Sequence, residues 1–483
     1  MAEEAPRRPN IVLILTDDHA SHAISAYGSV VNKTPRIDEI ADSGRRLDNA
    51  FCTNALCAPS RAAILTGTHS HINGVRTLVT PIDASQPTFI TQLKAAGYRT
   101  GLIGKWHMGE GDAHNPQGFD RWAVLRDQGE YFDPQILTEA GVEIIPGYAT
   151  DLITDLSLQW VESLEPGEPW CLLIHHKAPH RSWEPDEAHQ DMYTDPIPVP
   201  ATFTDDYATR SFAAKHAMMR VADHLTAVDL KQEPPADLEG DALALWKYQR
   251  YMEDYLACVA SVDDNVGRVI DWLRDRGDFD DTLLIYTSDQ GFFLGDHGWF
   301  DKRFMYDEAI RMPLVISYPA RIPAGKPITS LVTNVDFAQT ILDAAGVEPH
   351  PRMQGTSFWP QLTDSPVQVE QDAVYYRYWE HDDINHNVLA HYGVRTESHK
   401  LIYFYNDGMG VPGTGPAVYP PEWEMYDLLA DPQELLNVAE DESYADIRQQ
   451  LEIRLGELQR QFQDIPHPSQ SVPEGRSAKN SVG

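Results

Sequence analysis

The sequence predicts an α/β protein, with a mostly parallel sheet flanked by helices and a smaller α+β subdomain at the C-terminal end. Three observations carry this. Apolar runs of buried-strand type alternate with helical segments up to about residue 345, the pattern of a parallel sheet covered on both faces. Several of these runs end abruptly in acid, base or metal-ligand residue types, and in open α/β sheets ligands gather at the carboxyl ends of strands. Beyond residue 365 the pattern changes to short strands rich in Tyr and Val. The expected division is a main domain over 1–365, a subdomain over 366–465, and a disordered tail over 466–483, which is rich in Ser, Pro and Gly.

Composition narrows the function. A chain of 483 residues, 42% hydrophobic with 11 Trp and 21 Tyr, can bury a large core and form more than one domain. Its 38 basic and 73 acidic residues give a net charge of -35, which argues against a nucleic-acid or anionic-membrane surface. An anionic substrate is then welcome only at a locally positive pocket. Four cysteines, Cys52, Cys57, Cys171 and Cys258, are too few for a disulfide framework and suit a reducing compartment. The N-terminal residues MAEEAPRRPN and the short apolar run after them lack the pattern of a signal peptide. No stretch approaches a membrane span, so the chain as written reads as cytoplasmic.

In chain order, residues 11–15 (IVLIL) read as a fully buried strand ending in Thr16-Asp17-Asp18. The paired carboxylates are a metal-site candidate; their plainer reading is a turn with a capping Asp. Residues 34–44 form a helix with Thr34 as N-cap, Pro35 at its first position and Gly44 as its stop. In residues 49–74 (NAFCTNALCAPSRAAILTGTHSHING), Pro59 suits a first helical turn and Gly67 fits just past the end. Cys57 therefore sits at a helix N-terminus, where unpaired N–H groups favour an anion, with Arg61 on the same face. A helix over 88–96 feeds a strand over 98–103 whose end, GKWHMG, delivers Lys105 and His107 to the same sheet edge. Residues 170–180 (WCLLIHHKAPH) repeat the pattern, an apolar strand running into His175, His176, Lys177 and His180.

Apart from residues 170–180, residues 126–248 are poorly legible and carry no assigned chemistry. A long amphipathic helix over 251–276 places Tyr255, Val259, Val262, Val266, Val269, Ile270 and Leu273 on an apolar side that packs on the sheet. LLIYTSDQG (283–291) is a further strand with ligand types at its end, Asp289 and Gln290. A short helix over 336–346 closes the main domain. Strands over 372–379, 392–396 and 401–405 and a packing helix over 444–462 make the subdomain.

CAPSRAAILTG resembles, without a mismatch, the type I sulfatase signature CxPSRxxxLTG, in which a separate maturation enzyme converts the cysteine to formylglycine. GKWHMG, the Pro179-His180 pair, GWFDKRF around Lys302 and EMYDLLADPQELLN (424–437) are also similar to that family. The resemblance implies an alkaline-phosphatase-like fold. It further implies that Asp17, Asp18, Asp289, Gln290 and the modified Cys57 hold one metal ion, and that Lys105 and Lys302 bind the sulfate. Arg61 would fix the formylglycine diol, His107 would take its second proton and His180 would protonate the leaving alcohol. Where this chain has Gln290 the family usually has Asn or His; Gln still offers a neutral carbonyl oxygen. All-oxygen side-chain donors favour a hard cation, Ca²⁺ over Zn²⁺.

Phosphoesterases and phosphonate hydrolases share these motifs and remain the alternative chemistry; a sugar-binding protein with an inactive site is the non-enzymatic one. Residues 375–405 and SDQGFFLGDHGWFDKRFMYDE are similar to bacterial N-acetylglucosamine-6-O-sulfatases, which implies a small sulfated saccharide as substrate. Trp379 could then stack on a pyranose face, and His386 and His391 could bond its hydroxyls or amide. A surface or core role is equally open for each.

Overall fold

The computed structural model describes residues 8–365, 367 and 371–471 and divides into two compact units. Among the described residues, the first comprises 8–204 and 219–365 with 367 and 371, the second 205–218 and 372–471. No helix among the described residues is long and apolar enough to cross a membrane.

The first unit is built on nine strands: β1 (Asn10–Thr16), β2 (Arg45–Arg46), β3 (Arg99–Lys105), β4 (Arg121–Leu125), β5 (Gln135–Thr138), β6 (Gly141–Ile144), β7 (Trp170–His175), β8 (Thr282–Ser288) and β9 (Leu314–Ser317). They are ordered β2-β9-β8-β1-β7-β3-β4-β5-β6. The five central strands, β8 to β4, are parallel; β9 and β2 on one side and β5 and β6 on the other are antiparallel. The sheet is therefore mixed, and the parallel reading holds for its centre. The runs that read as strands are those buried on both faces; the antiparallel edge strands β5 and β6 are only partly buried or exposed and leave no continuous apolar run.

Helices α1 (Pro35–Asp42), α2 (Cys57–Thr66), α3 (Phe89–Ala95), α4 (Ala149–Glu162), α5 (Gly240–Arg276) and α6 (Phe337–Ala344) complete the unit. Helix α5 starts well before the expected residue 251, and its stripe Tyr255, Val259, Val262, Val266 and Ile270 joins Val12, Ile14, Leu172, Ile174 and Tyr286 of the sheet in one core. Strand β1 is buried along its whole length, so every side chain of its apolar run is covered. The parallel registers, Leu15 opposite His175 and Gly104 opposite His175, align the carboxyl ends of β1, β7 and β3.

The second unit is a four-stranded antiparallel sheet, β10 (Ala373–Tyr378), β11 (His391–Thr396), β12 (His399–Phe404) and β13 (Glu422–Asp427), with α7 (Ala445–Gln461) packed against it. Residues 205–218, from the poorly legible middle of the chain, belong with this unit: Ser211 N–H donates to Glu424 Oε1 (2.8 Å) and Arg210 Nε to Tyr426 Oη (3.1 Å). Part of the expected tail is also packed. Gln470 is buried and accepts from Tyr392 Oη and from Gln459 Nε2 (3.2 Å). Residues 472–483 of that tail lie outside the described residues.

Gly104 shows how tightly the strand ends are packed. It has φ +109°, and a Cβ there would lie 2.0 Å from the carbonyl oxygen of His175. Gly277, the C-cap of α5, has φ +73° and nothing within 4 Å. Gly277→Ala is expected to cost about 1–2 kcal/mol, the ordinary left-handed penalty. Gly104→Ala should lower the midpoint of thermal unfolding clearly further, because backbone must move; equal midpoints for the two variants would refute this packing argument.

Candidate active site

Three carboxylates converge at the carboxyl edge of the central strands. Asp17 and Asp18 follow β1, Asp289 follows its neighbour β8, and an oxygen from each lies within 4.8 Å of the others. Asp18 has φ +66°, a conformation that a non-glycine residue keeps only where its surroundings impose it. Its N–H donates to Asp289 Oδ1 (3.3 Å) and its carbonyl accepts from Tyr255 Oη on α5 (2.8 Å). The same hydroxyl accepts from Ala20 N–H (2.9 Å), and His19 N–H donates to Ser288 Oγ (2.9 Å). The turn that presents Asp18 is thus clamped by a helix and a neighbouring strand.

Helix α2 is buried over all ten residues and ends at Gly67 in the left-handed conformation. Cys57 stands at its first position with Sγ donating to Asp17 Oδ1 (3.3 Å). Burial, and then the charge of Asp17, push this thiol well above its ordinary range, so the unmodified side chain is a neutral thiol and a poor nucleophile. Ser60 Oγ donates to the carbonyl of Asp289 and accepts from Asn334 Nδ2 (2.8 Å). Arg61, 0% exposed, donates from Nε to Asp289 Oδ2 (2.9 Å) and from Nη1 to the carbonyl of Lys105 (3.0 Å), with Nη2 3.6 Å from Asp17 Oδ2. One guanidinium therefore braces the ends of three strands.

Lys105 Nζ pairs with Asp17, and Lys302 Nζ lies 2.7 Å from Asp18. Burial alone would raise Asp17, but the charges of Lys105, Arg61 and Lys302 together hold it well below the usual carboxylate range. Burial lifts Asp18 to about 6 against the opposing pull of Lys302, and burial with the charge of Asp17 lifts Asp289 to about 8. His107 and His180 are both held well below their ordinary value, by burial first and by Lys105 second, and are neutral. His107 Nε2 is 3.8 Å from Asp127. His180 Nδ1–H donates to the carbonyl of Arg181 (2.6 Å), which leaves Nε2, 3.7 Å from Asp18 Oδ2, as the unprotonated nitrogen. A ring nitrogen of His180, Sγ of Cys57 and an oxygen of Asp17 also lie within 4.8 Å of one another. His175 ends β7 and His176 follows it, both buried: His175 Nδ1–H donates to the carbonyl of Lys105 (3.0 Å), and burial lowers His176 to about 3.

The donor set fits a hard divalent cation. Gln290 Nε2 donates to Asp18 Oδ1 (2.5 Å), while its Oε1 is buried beside the carboxylates with no hydrogen-bond donor among the described residues. A buried carbonyl oxygen without a donor calls for an explanation, and a metal ligand supplies one.

Trp379, His386 and His391 all lie in the second unit. The guanidinium of Arg377 sits 3.5 Å over the Trp379 ring, and His386 Nδ1 is 2.9 Å from Asp383 Oδ1. His391 is fully buried beside Tyr376, Tyr378 and Phe404, with Nδ1 bonded to the carbonyl of Leu389 (2.7 Å). Two residues outside the sequence reading reach the first-unit centre. Tyr255 was hidden because on an apolar helical stripe a clamp looks like packing. Gln128, whose Oε1 accepts from Lys105 Nζ (2.5 Å), follows the run WAVL in Arg121–Leu125, a strand-to-polar transition of the kind read elsewhere in the chain.

The sulfatase family model matches residues 9–347, and the model for the N-sulphoglucosamine sulphohydrolase C-terminal region matches 295–461. The chain is 41% identical over 509 aligned positions to an N-acetylglucosamine-6-O-sulfatase of Bacteroides thetaiotaomicron, covering 96% of this chain and 88% of that protein. It is 28% identical to the human N-acetylglucosamine-6-sulfatase, over 74% of this chain and 64% of that one. A solved structure in complex with its substrate D-glucosamine-2-N,6-O-disulfate superposes with a TM-score of 0.89 at 41% identity, covering 95% of this chain and 98% of that one.

The clamp on Asp18 is open to measurement. Tyr255→Phe keeps the stacking on Phe292 and loses only the hydroxyl. It should weaken divalent-cation binding about tenfold by titration calorimetry, the size of effect seen when support for a metal ligand is removed. Unchanged affinity would take Tyr255 out of the site.

Proposed function

Because this chain belongs to the sulfatase family, whose members hydrolyse sulfuric esters with a formylglycine and a divalent metal, we propose that it removes the 6-O-sulfate of N-acetylglucosamine 6-sulfate and of short glycans ending in it. The observation that carries the substrate is the extent of the similarity to the N-acetylglucosamine-6-O-sulfatase. It covers 96% of this chain, and so takes in the second unit as well as the first; His391 there is fully buried beside Tyr376, Tyr378 and Phe404 and cannot bond a sugar. A primary 6-sulfate projects from its ring and can enter a deep pocket while the pyranose stays outside it.

In this reading Cys57 is converted to formylglycine, and Asp17, Asp18, Asp289 and Gln290 hold Ca²⁺ together with residue 57. The hydrated aldehyde supplies one hydroxyl to attack sulfur and a second whose deprotonation releases sulfate. When bound, the cation would supply Lewis-acid polarisation at the sulfate group. The chain's own residues do the rest. Lys105 and Lys302 bind sulfate oxygens and balance the charge that develops on them. Arg61, braced between Asp289 and Lys105, orients residue 57 from one helical turn away. Neutral His107 is in the correct state to accept a proton. His180 presents Nε2 because Nδ1–H is committed to Arg181, so it must take up a proton there before it can protonate the departing alcohol. Cys57 is 1% exposed within a buried helix, so a maturation enzyme has to act before the chain closes around it.

Intact-peptide mass spectrometry of the fragment containing Cys57 should show formylglycine in active protein, and Cys57→Ala should abolish turnover with little change in unfolding temperature. Full activity with only the thiol present would refute the mechanism. Chelation should remove activity and Ca²⁺ restore it, and Gln290→Asn should retain more activity than Gln290→Ala. Against a panel of defined sulfated monosaccharides and glycosaminoglycan disaccharides, 6-O-sulfate should be released. Release of 2-O- or N-sulfate alone would overturn the substrate and leave the sulfatase chemistry, while faster turnover of an aryl phosphate than of the matched aryl sulfate would overturn the class.

A further inference from the structure

The loop that follows β4 reaches the reaction centre. Strand β4 runs parallel to β3 with Leu125 opposite Lys105, so the chain leaving β4 emerges at the edge that carries the lysine. Asp127 turns back with φ +49°, and Gln128 extends to Lys105, its Oε1 2.5 Å from Nζ. The carbonyl of the same residue accepts from Lys177 Nζ (3.4 Å), which also donates to the carbonyl of Arg181 (3.5 Å) and lies 5.0 Å over the ring of Tyr131. Lys177, from the end of β7, thus fastens the backbone of the loop while the Gln128 side chain holds Lys105.

Among the described residues Lys105 Nζ has two partners, Asp17 and Gln128. An ammonium has three N–H bonds, so these two fix its direction and leave one for an incoming oxygen. A lysine side chain is long and rotamer-rich, and a point charge held by one contact alone would be poorly aimed. The acceptor chosen is also neutral: an amide oxygen positions the ammonium without cancelling its charge, whereas a second carboxylate would pair with it.

We propose that Gln128 is a positioning residue for the anion pocket: its side-chain carbonyl aims Lys105 at the sulfate group, and Lys177 anchors the loop that carries it. This rests on the reading of Lys105 as a sulfate-binding residue. The test uses the matured full-length protein, with inorganic sulfate as the probe, measured both by calorimetry and as a competitive inhibitor of aryl sulfate hydrolysis. Gln128→Ala should weaken sulfate binding about tenfold and lower kcat/KM for the aryl sulfate by a similar factor, as expected for loss of a hydrogen bond to a charged group. Its unfolding temperature and Ca²⁺ affinity should stay at the wild-type level, which a merely structural loop residue would not predict. Gln128→Glu keeps the length and the acceptor but adds a charge, and should bind sulfate less well than Gln128→Ala. Wild-type sulfate affinity in either variant would overturn the inference. Wild-type protein that neither binds sulfate nor turns over the ester would instead overturn the reading of the site on which it rests.

Discussion

The arrangement depends on keeping three carboxylates ionisable inside the protein within a few ångströms of one another. At 4.8 Å two like charges repel by about 3 kcal/mol even at an effective dielectric constant near 20, and each also loses its water. Arg61, Lys105 and Lys302 offset this, one cation for each of Asp17, Asp18 and Asp289. The opposed shifts of Asp17, far down, and Asp289, up to about 8, are the sign of a cluster still short of positive charge, which is what a divalent cation brings. In a chain of net charge -35 this local balance is also what lets an anion approach.

The fold meets that demand by geometry. Parallel strands end on one edge, so β1, β8, β3 and β7 deliver acids, a lysine and a histidine to one place without long loops. Helix α2 meets them there, and because it is buried on every side its residues can serve as fasteners: Ser60 grips the backbone of Asp289 and Arg61 its carboxylate. Burial has a chemical consequence as well. A cysteine at a helix N-terminus gains some stabilisation of its thiolate, but here desolvation and Asp17 outweigh it, so the unmodified thiol is a poor nucleophile.

What the sequence disclosed follows the same physics. Strand ends were legible because an apolar run that stops at Asp, Lys or His breaks a hydrophobic pattern, and the helix around Cys57 because Pro59 and Gly67 bracket it; the motifs named the family. The edge strands β5 and β6 were not legible, since partly exposed antiparallel strands carry no continuous apolar run. Residues 205–218 gave no sign that they join the second unit, because a segment bound through Arg210 and Ser211 has the composition of a loop. Tyr255 and Gln128 escaped for opposite reasons: the tyrosine looked like core and the glutamine like surface, and only the fold shows that each ends on the reaction centre.

Gln290 is the point at which charge and specificity meet. With Gln there, the formal charge of the centre is three carboxylates against three cations, and a bound dication raises it to plus two. An acidic residue at the same position would supply another oxygen but leave only plus one, and would add a fourth like charge to a cluster in which burial already lifts Asp18 to about 6. The neutral amide therefore contributes ligand capacity without electrostatic cost. A centre of plus two more than neutralises a monoanionic sulfate ester and also balances the charge that moves onto the sulfate oxygens as the ester bond breaks. The neutral acceptor at Gln128 follows the same rule, and together these two glutamines allow a strongly acidic protein to keep a positive pocket.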